Sequence, residues 1–182
     1  MADIWTIGHS SRPIDVFLDL LAGSAIEHVA DVRRFAGSRA HPHFNPVALE
    51  EALARRAIRY TPFPELGGRR KPKPDSAHTV WRHTAFRGFA DYMDTPEFER
   101  GLARLMQLAE MAPTAVMCSE AVWWRCHRSM IADALKARGW RVRHIMDRGQ
   151  EAEHPFTSPA RIVDGRLHYG SGESDGGGPT QA

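Results

Sequence analysis

The chain has 182 residues, 42% of them hydrophobic and 25% charged, and a net charge of +2. That length fits one domain able to bury roughly 70% of the surface its unfolded form exposes, and so slight a charge does not by itself imply a nucleic-acid partner. No apolar run approaches the ~18 residues of a membrane span, and "MADIWTIGHSSRP" opens without a basic segment, so a cytoplasmic protein with no membrane partner is expected.

In chain order, "DIWTIGH" reads as a short buried strand closed by Gly8. "RPIDVFLDLLAGS" follows with Ile14, Phe17, Leu18 and Leu21 at helical spacing, Pro13 in the first turn and Gly23 at the stop. "EHVADVR" is a second strand. "NPVALEEALARRAI" is a second helix, with Asn45 as N-cap and Pro46 at its first position. "IRYTPFP" is a third strand, ended by prolines. Residues 64–84 form a long basic loop rich in Gly and Pro, a type of segment that is usually functional or mobile. Two helices, "AFRGFADYM" and "PEFERGLARLMQLAEM", break at Thr95-Pro96. "TAVMC" is a fourth strand, "HRSMIADALKARG" a helix and "WRVRHIM" a fifth strand. "ARIVDGRLHYG" alternates around Asp164-Gly165 as a hairpin does.

This alternation predicts an α/β fold: a three-layer Rossmann-like domain with a mostly parallel five-stranded sheet plus a C-terminal β-hairpin. The domain is expected over residues 1–170, with 171–182 a disordered tail lacking apolar residues to bury. Ligands of such domains sit beyond the carboxyl ends of the strands. His9 and Ser10, Arg33, Glu65 with Gly67 and Gly68, and Cys118 with Glu120 all follow predicted strands, so they are expected around one pocket.

The densest chemistry lies in "MCSEAVWWRCHRSMIADAL", residues 117–135. Two cysteines are too few for a disulfide scaffold; such a pair serves catalysis, a metal or the core. A helix starts near Cys126 to Ser129, its unpaired amides favouring an anion or a thiolate, and Arg125 and Arg128 add positive charge. Cys126 is therefore expected to have the lowered thiol pKa and Cys118 to be the more buried and inert of the two. Three functional readings compete: a nucleophilic cysteine with Glu120 or His127 as proton carrier, an anion site centred on Arg128, and a metal site on Cys118, Glu120, Cys126 and His127. Two small core cysteines with Glu120 paired to an arginine would be the structural alternative. The ligand spacing is atypical for zinc, so neither metal nor other cofactor is expected.

Outside that segment, His9 and Ser10 suit either a ligand or a cap for the first helix. Gly67 and Gly68 suit a tight turn or close approach to a ligand. Trp123 and Trp124 suit stacking on a base, or core packing. Only Lys71, Lys73 and Lys136 of the 24 basic residues are lysine, which fits GC-rich codon usage or the bidentate grip of arginine on phosphate and carboxylate.

"TIGHS", "DVR", "ELGG", "FADYM", the Cys-x-Glu-x5-Cys-His-Arg element and "HI" in the fifth strand, in this order, resemble the bacterial domain of unknown function 488. The terminal "FTSPARIVDGRLHYG" looks like the tail of one subgroup. The resemblance implies a compact prokaryotic α/β domain and no particular reaction. "VMC…HRSMIADALKARGWRVRHI" is more distantly similar to rhodanese-type sulfurtransferases, although Arg128 follows Cys118 at a longer interval than their arginine follows its cysteine. The function expected is a thiol-dependent enzyme, a transferase or hydrolase, acting on a phosphate-bearing or other anionic substrate. Its alternative is a non-enzymatic module that binds nucleic acid or nucleotide through Arg128, the tryptophans and the basic loop.

Overall fold

A computed structural model describes residues 1–170; the predicted disordered tail lies outside them. Five strands are parallel: β1 (Asp3–Gly8), β2 (His28–Asp31), β3 (Arg59–Pro62), β4 (Thr114–Cys118) and β5 (Arg141–Asp147). The helices are α1 (Ile14–Gly23), α2 (Pro46–Ala54), α3 (Thr84–Met93), α4 (Pro96–Met111) and α5 (Arg128–Ala137). A sixth strand, β6 (Gln150–Glu153), pairs antiparallel with β5, giving the order β3-β2-β4-β1-β5-β6. The five-stranded expectation is thus corrected to a mixed sheet of six. "QEAE" is exposed throughout, and nothing in its pattern marks a strand; it is held by the ladder along β5.

Alternation along the parallel strands sends side chains to two separate cores. Ile7, Val29, Ala115 and Met117 pack under α1 and α2, against Phe17, Leu21, Leu49 and Leu53. Ile4, Ala30, Val116 and Cys118 face α3, α4 and α5, against Phe89, Leu102, Leu105 and Ile131. Each fully buried Leu or Phe contributes roughly 1.5–3 kcal/mol. Cys118 therefore reaches α5 by strand periodicity alone.

The helix ends partly follow the sequence rules. Thr95 caps α4 by accepting from the Phe98 amide at 3.3 Å. Asn45 occupies the cap position of α2, but its Oδ1 accepts from the Ser38 amide at 2.7 Å instead, tying down the loop before it. Neither His9 nor Ser10 caps α1, whose N-cap position is Pro13. The expected hairpin is β7 (Arg161–Val163) and β8 (Arg166–His168), and both turn residues, Asp164 and Gly165, have positive φ (50° and 73°) as a type I′ turn requires. Between Leu66 and Thr84 the basic loop contains no helix or strand. No helix among the described residues is long and apolar enough to cross a membrane.

Candidate functional site

The connection after β1 leads to α1 on one face of the sheet, and the connection after β4 leads to α5 on the other. The two connections part toward opposite faces, and a crevice opens between their loops. The parallel ladder continues one step into it: the His9 amide donates to Cys118 O and the Ser10 amide to Ser119 O, each at 2.9 Å. Ser10 holds φ 49°, a left-handed conformation uncommon for a side-chain-bearing residue. The crevice is a cavity of about 390 Å³ whose walls include His9, Ser10, Arg33, His41, Arg69 and Glu120.

Directly behind the Ser119–Ala121 wall lie Cys118 and Arg128. Arg128 is 1% exposed, and no carboxylate contacts it among the described residues. Its Nη1 donates to the Cys118 sulfur at 2.7 Å and to Glu120 O at 2.5 Å, its Nη2 donates to Ala121 O at 3.0 Å, and its Nε is buried without a partner. A bare buried cation costs several kcal/mol, so a sulfur is the one group here able to balance it by ionising. Gly8 makes the arrangement possible: a Cβ there would come within 1.8 Å of Glu120 O and 2.8 Å of Arg128 Nη1.

Cys126 completes the cluster, with its Sγ 2.6 Å from that of Cys118 and 3.5 Å from His127 Nδ1. Both are free thiols. Burial opposes ionisation of Cys118, but the hydrogen bond from Cys126 and the Arg128 charge outweigh it and bring its pKa down to about 7. Burial, and then the neighbouring Cys118, push Cys126 well above the ordinary thiol value. Cys118 is the more buried of the two, as expected, but the expected order of their thiol pKa values is reversed. The Arg128 guanidinium points at the strand end, whereas the α5 start offers Cys126 only a 3.5 Å backbone contact.

His127 Nε2 contacts Val32 O at 3.2 Å. The tautomer satisfying this contact carries its proton on Nε2 and leaves Nδ1 to accept near Cys126. Burial lowers the His127 pKa to about 4. Gly68 lies over this ring, where a Cβ would fall 2.8 Å from Nδ1, and Gly67 lies against the Arg34 backbone. Both glycines thus serve close approach to protein, and neither has positive φ. Glu65 leaves the group as well: its carboxylate pairs with Arg104 on α4 at 2.8 Å, and its carbonyl accepts from Tyr92. Glu120 is exposed at the cavity wall and gives Arg128 its carbonyl rather than its carboxylate. The set Cys118, Glu120, Cys126 and His127 thus does not gather as metal ligands, and no such cluster occurs among the described residues.

Arg33 is also buried, but Asp31 grips it twice, at 2.9 and 2.7 Å, and Tyr60 adds a 2.6 Å hydrogen bond to the same carboxylate. Arg33 Nη1 reaches Phe44 O at 2.9 Å and His9 Nε2 at 3.4 Å. His9 donates from Nδ1 to Ser10 O and stacks on Phe44, and burial lowers its pKa to about 4. It is a neutral acceptor on the cavity wall.

Sequence reasoning missed a second polar network beneath α5. Thr6 Oγ1 meets His144 Nδ1 at 2.6 Å, His144 Nε2 meets His154 Nδ1 at 2.9 Å, and His154 Nε2 meets Asp133 Oδ1 at 2.8 Å. Tyr169 and Thr157 donate to the same carboxylate. Burial, then His154 and Arg128, push the His144 pKa down to about 2. Trp123 stacks on His144 at 4.4 Å, and Trp124 is exposed. No sequence signal marks this pairing, because His144 lies in "RVRHIM" and His154 in "EAEHPF", each beside charged residues.

The model of the family described as domain of unknown function DUF488 matches residues 13–135. The chain belongs to this family. The matched segment contains Arg33, Cys118, Cys126 and Arg128, and begins after His9 and Ser10. No curated protein and no solved structure matches the chain, so the likeness to rhodanese-type domains has no match behind it.

Proposed function

We propose that this protein is a thiol-dependent enzyme, a transferase or hydrolase, in which Cys118 is the nucleophile and a phosphate-bearing or other anionic substrate occupies the crevice of a Rossmann-like sheet. One observation carries the reading: among the described residues, the sulfur of Cys118 is the only ionisable side chain in contact with the buried Arg128 guanidinium, which no carboxylate meets. A thiolate at near-neutral pH is what nucleophilic sulfur chemistry needs. Cys126 donates a hydrogen bond to that thiolate, His127 holds a proton acceptor beside Cys126, and Glu120 offers a carboxylate at the cavity wall. Ser10, Arg69 and the Arg33 edge supply donors for an anion. Because Cys118 sits behind residues 119–121, attack requires this turn to swing aside. A reducing, cytoplasmic setting would keep the sulfur available.

The test is the alkylation rate of each cysteine by iodoacetamide against pH, read by mass spectrometry. Cys118 should react first, with its rate rising through about pH 7, and inorganic phosphate should slow it. A Cys118 as inert as Cys126 until unfolding, or a rate indifferent to Arg128→Met, overturns the reading.

A second reading has its own observation. A groove of about 450 Å³ beside the crevice is walled by Arg34, Arg69, Arg70, Lys71 and Lys73, and Arg69 is common to both. A nucleic-acid-binding module would use this groove; Arg128 is too buried to touch a backbone, and Trp123 is engaged by His144. Its binding of a single-stranded oligonucleotide should weaken steeply with salt.

A further inference from the structure

We propose that Cys118 and Cys126 are a dithiol–disulfide couple that reduces a small hydroperoxide. The inference rests on the reading of Cys118 as the thiolate, and adds Cys126 as the resolving thiol. Three features of the geometry support it. The two free sulfurs are already in contact, 2.6 Å apart, with no group between them. Arg128 holds the first sulfur and keeps one buried N–H, on Nε, without an acceptor. Nη1, already in contact with that sulfur, is the donor an oxygen added there would meet. His127 Nδ1 lies 3.5 Å from the second sulfur, with its other nitrogen committed to Val32 O.

Exposure decides the class of oxidant. Cys118 is 2% exposed and Cys126 6%, so a protein disulfide cannot approach, whereas a hydroperoxide close to water in size can reach them through small fluctuations. The thiolate of Cys118 attacks one peroxide oxygen. The O–O bond breaks, hydroxide departs and takes a proton from solvent, and Cys118 becomes a sulfenic acid. Cys126 then has no anion to donate to, and because it holds its proton more tightly than the buried ring, His127 Nδ1 accepts that proton only as the sulfur attacks. The Cys126 sulfur attacks the Cys118 sulfur, the S–O bond breaks, and the leaving hydroxide recovers that proton as water. The two sulfurs lose the two electrons that the O–O bond gains. The resulting disulfide also removes the nucleophile of the proposed enzyme until a thiol reductant restores it.

The experiment treats the full reduced chain with one equivalent of hydrogen peroxide and follows intact mass and the linked peptides. The expected result is loss of two hydrogens, a crosslink between the peptides carrying Cys118 and Cys126, and reversal by dithiothreitol. Cys126→Ser should stop at a Cys118 sulfenic acid trapped by dimedone, and Cys118→Ser should not react. Folding of each variant is checked by circular dichroism, although the wild-type result decides without them. Accumulation of Cys118 sulfinic acid with no crosslink overturns the couple. So does an unchanged mass in a protein whose Cys118 is still alkylated rapidly, and this outcome leaves the nucleophile reading standing. Slow alkylation together with an unchanged mass removes both.

Discussion

Two arginines are buried at neighbouring strand ends, and their surroundings differ in one respect. Arg33 is matched by the carboxylate of Asp31, which also takes the Tyr60 hydroxyl, so its charge has a dedicated partner. Among the described residues, Arg128 is matched only by carbonyls and by the Cys118 sulfur, a partner that is anionic by choice of protonation or oxidation state. A closed ion pair fixes the β2 end and its loop. An arginine left with a titratable partner instead sets the reactivity of that partner. Burial alone therefore says little about role; the identity of the counter-ion says more.

The largest expected effect comes from breaking the closed pair. Asp31→Ala strands the Arg33 charge beside a severed Tyr60 hydrogen bond and should cost about 3–5 kcal/mol in urea unfolding. Arg128→Met removes a cation that lacks a carboxylate and leaves two carbonyls short of donors, a cost of no more than about 2 kcal/mol. The same change should return Cys118 toward an ordinary thiol, read as loss of thiolate absorbance at neutral pH. Equal destabilisation by both variants would make Arg128 as structural as Arg33 and dissolve the contrast.

A smaller effect should follow from Gly8→Ala, which probes Arg128 without touching its charge. The added methyl meets the Glu120 carbonyl at 1.8 Å, so the 119–121 turn must shift, at about 1–3 kcal/mol for overpacking. Since Glu120 O anchors Arg128 Nη1, the shift should slow Cys118 alkylation well beyond what the loss of stability explains. Unchanged alkylation in a destabilised protein would show that Arg128 finds Cys118 without this anchor.

Much of this contrast was legible in the sequence, though not the part that decides it. The sheet-and-helix alternation followed from periodicity and from the Gly and Pro punctuation, and the rim position of His9, Arg33 and Glu120 followed from strand ends. The β6 strand was invisible because its residues are polar and exposed, and only the β5 ladder recruits them. Glu65 went astray because its arginine, Arg104, lies on a helix 39 residues later, and spacing carries no sign of that pairing. The order of the two thiol pKa values was reversed for a similar reason. A helix start is a local feature that sequence displays, whereas the direction in which a long guanidinium reaches is tertiary. Asp133, His144 and His154 are joined only through contacts between α5, β5 and the segment after β6.

The smallest effect at neutral pH belongs to the histidines that serve each arginine site, and acid makes them diverge from it. His9 beside Arg33 and His127 beside Cys126 both have pKa values lowered to about 4, with burial as the main cause. Their unfolded value is near 6.5, so between pH 6.5 and about 4 the unfolded chain binds more protons than the folded one. Stability therefore falls as pH drops through that window, and the contribution of each neutral histidine is fully present above it. His9→Asn keeps a donor for Ser10 O while removing the titration. At neutral pH it should shift stability by only about 0.5 kcal/mol. Within the window it should make the loss of stability shallower, by at most about 1.4 kcal/mol per pH unit, the limit for one proton. Urea midpoints at neutral pH and midway through the window measure both. An unaltered slope would mean that His9 is protonated in the folded protein. Its Nε2 would then be a donor facing Arg33, and the closed pair on that side of the crevice would carry a repulsion that the neutral ring avoids.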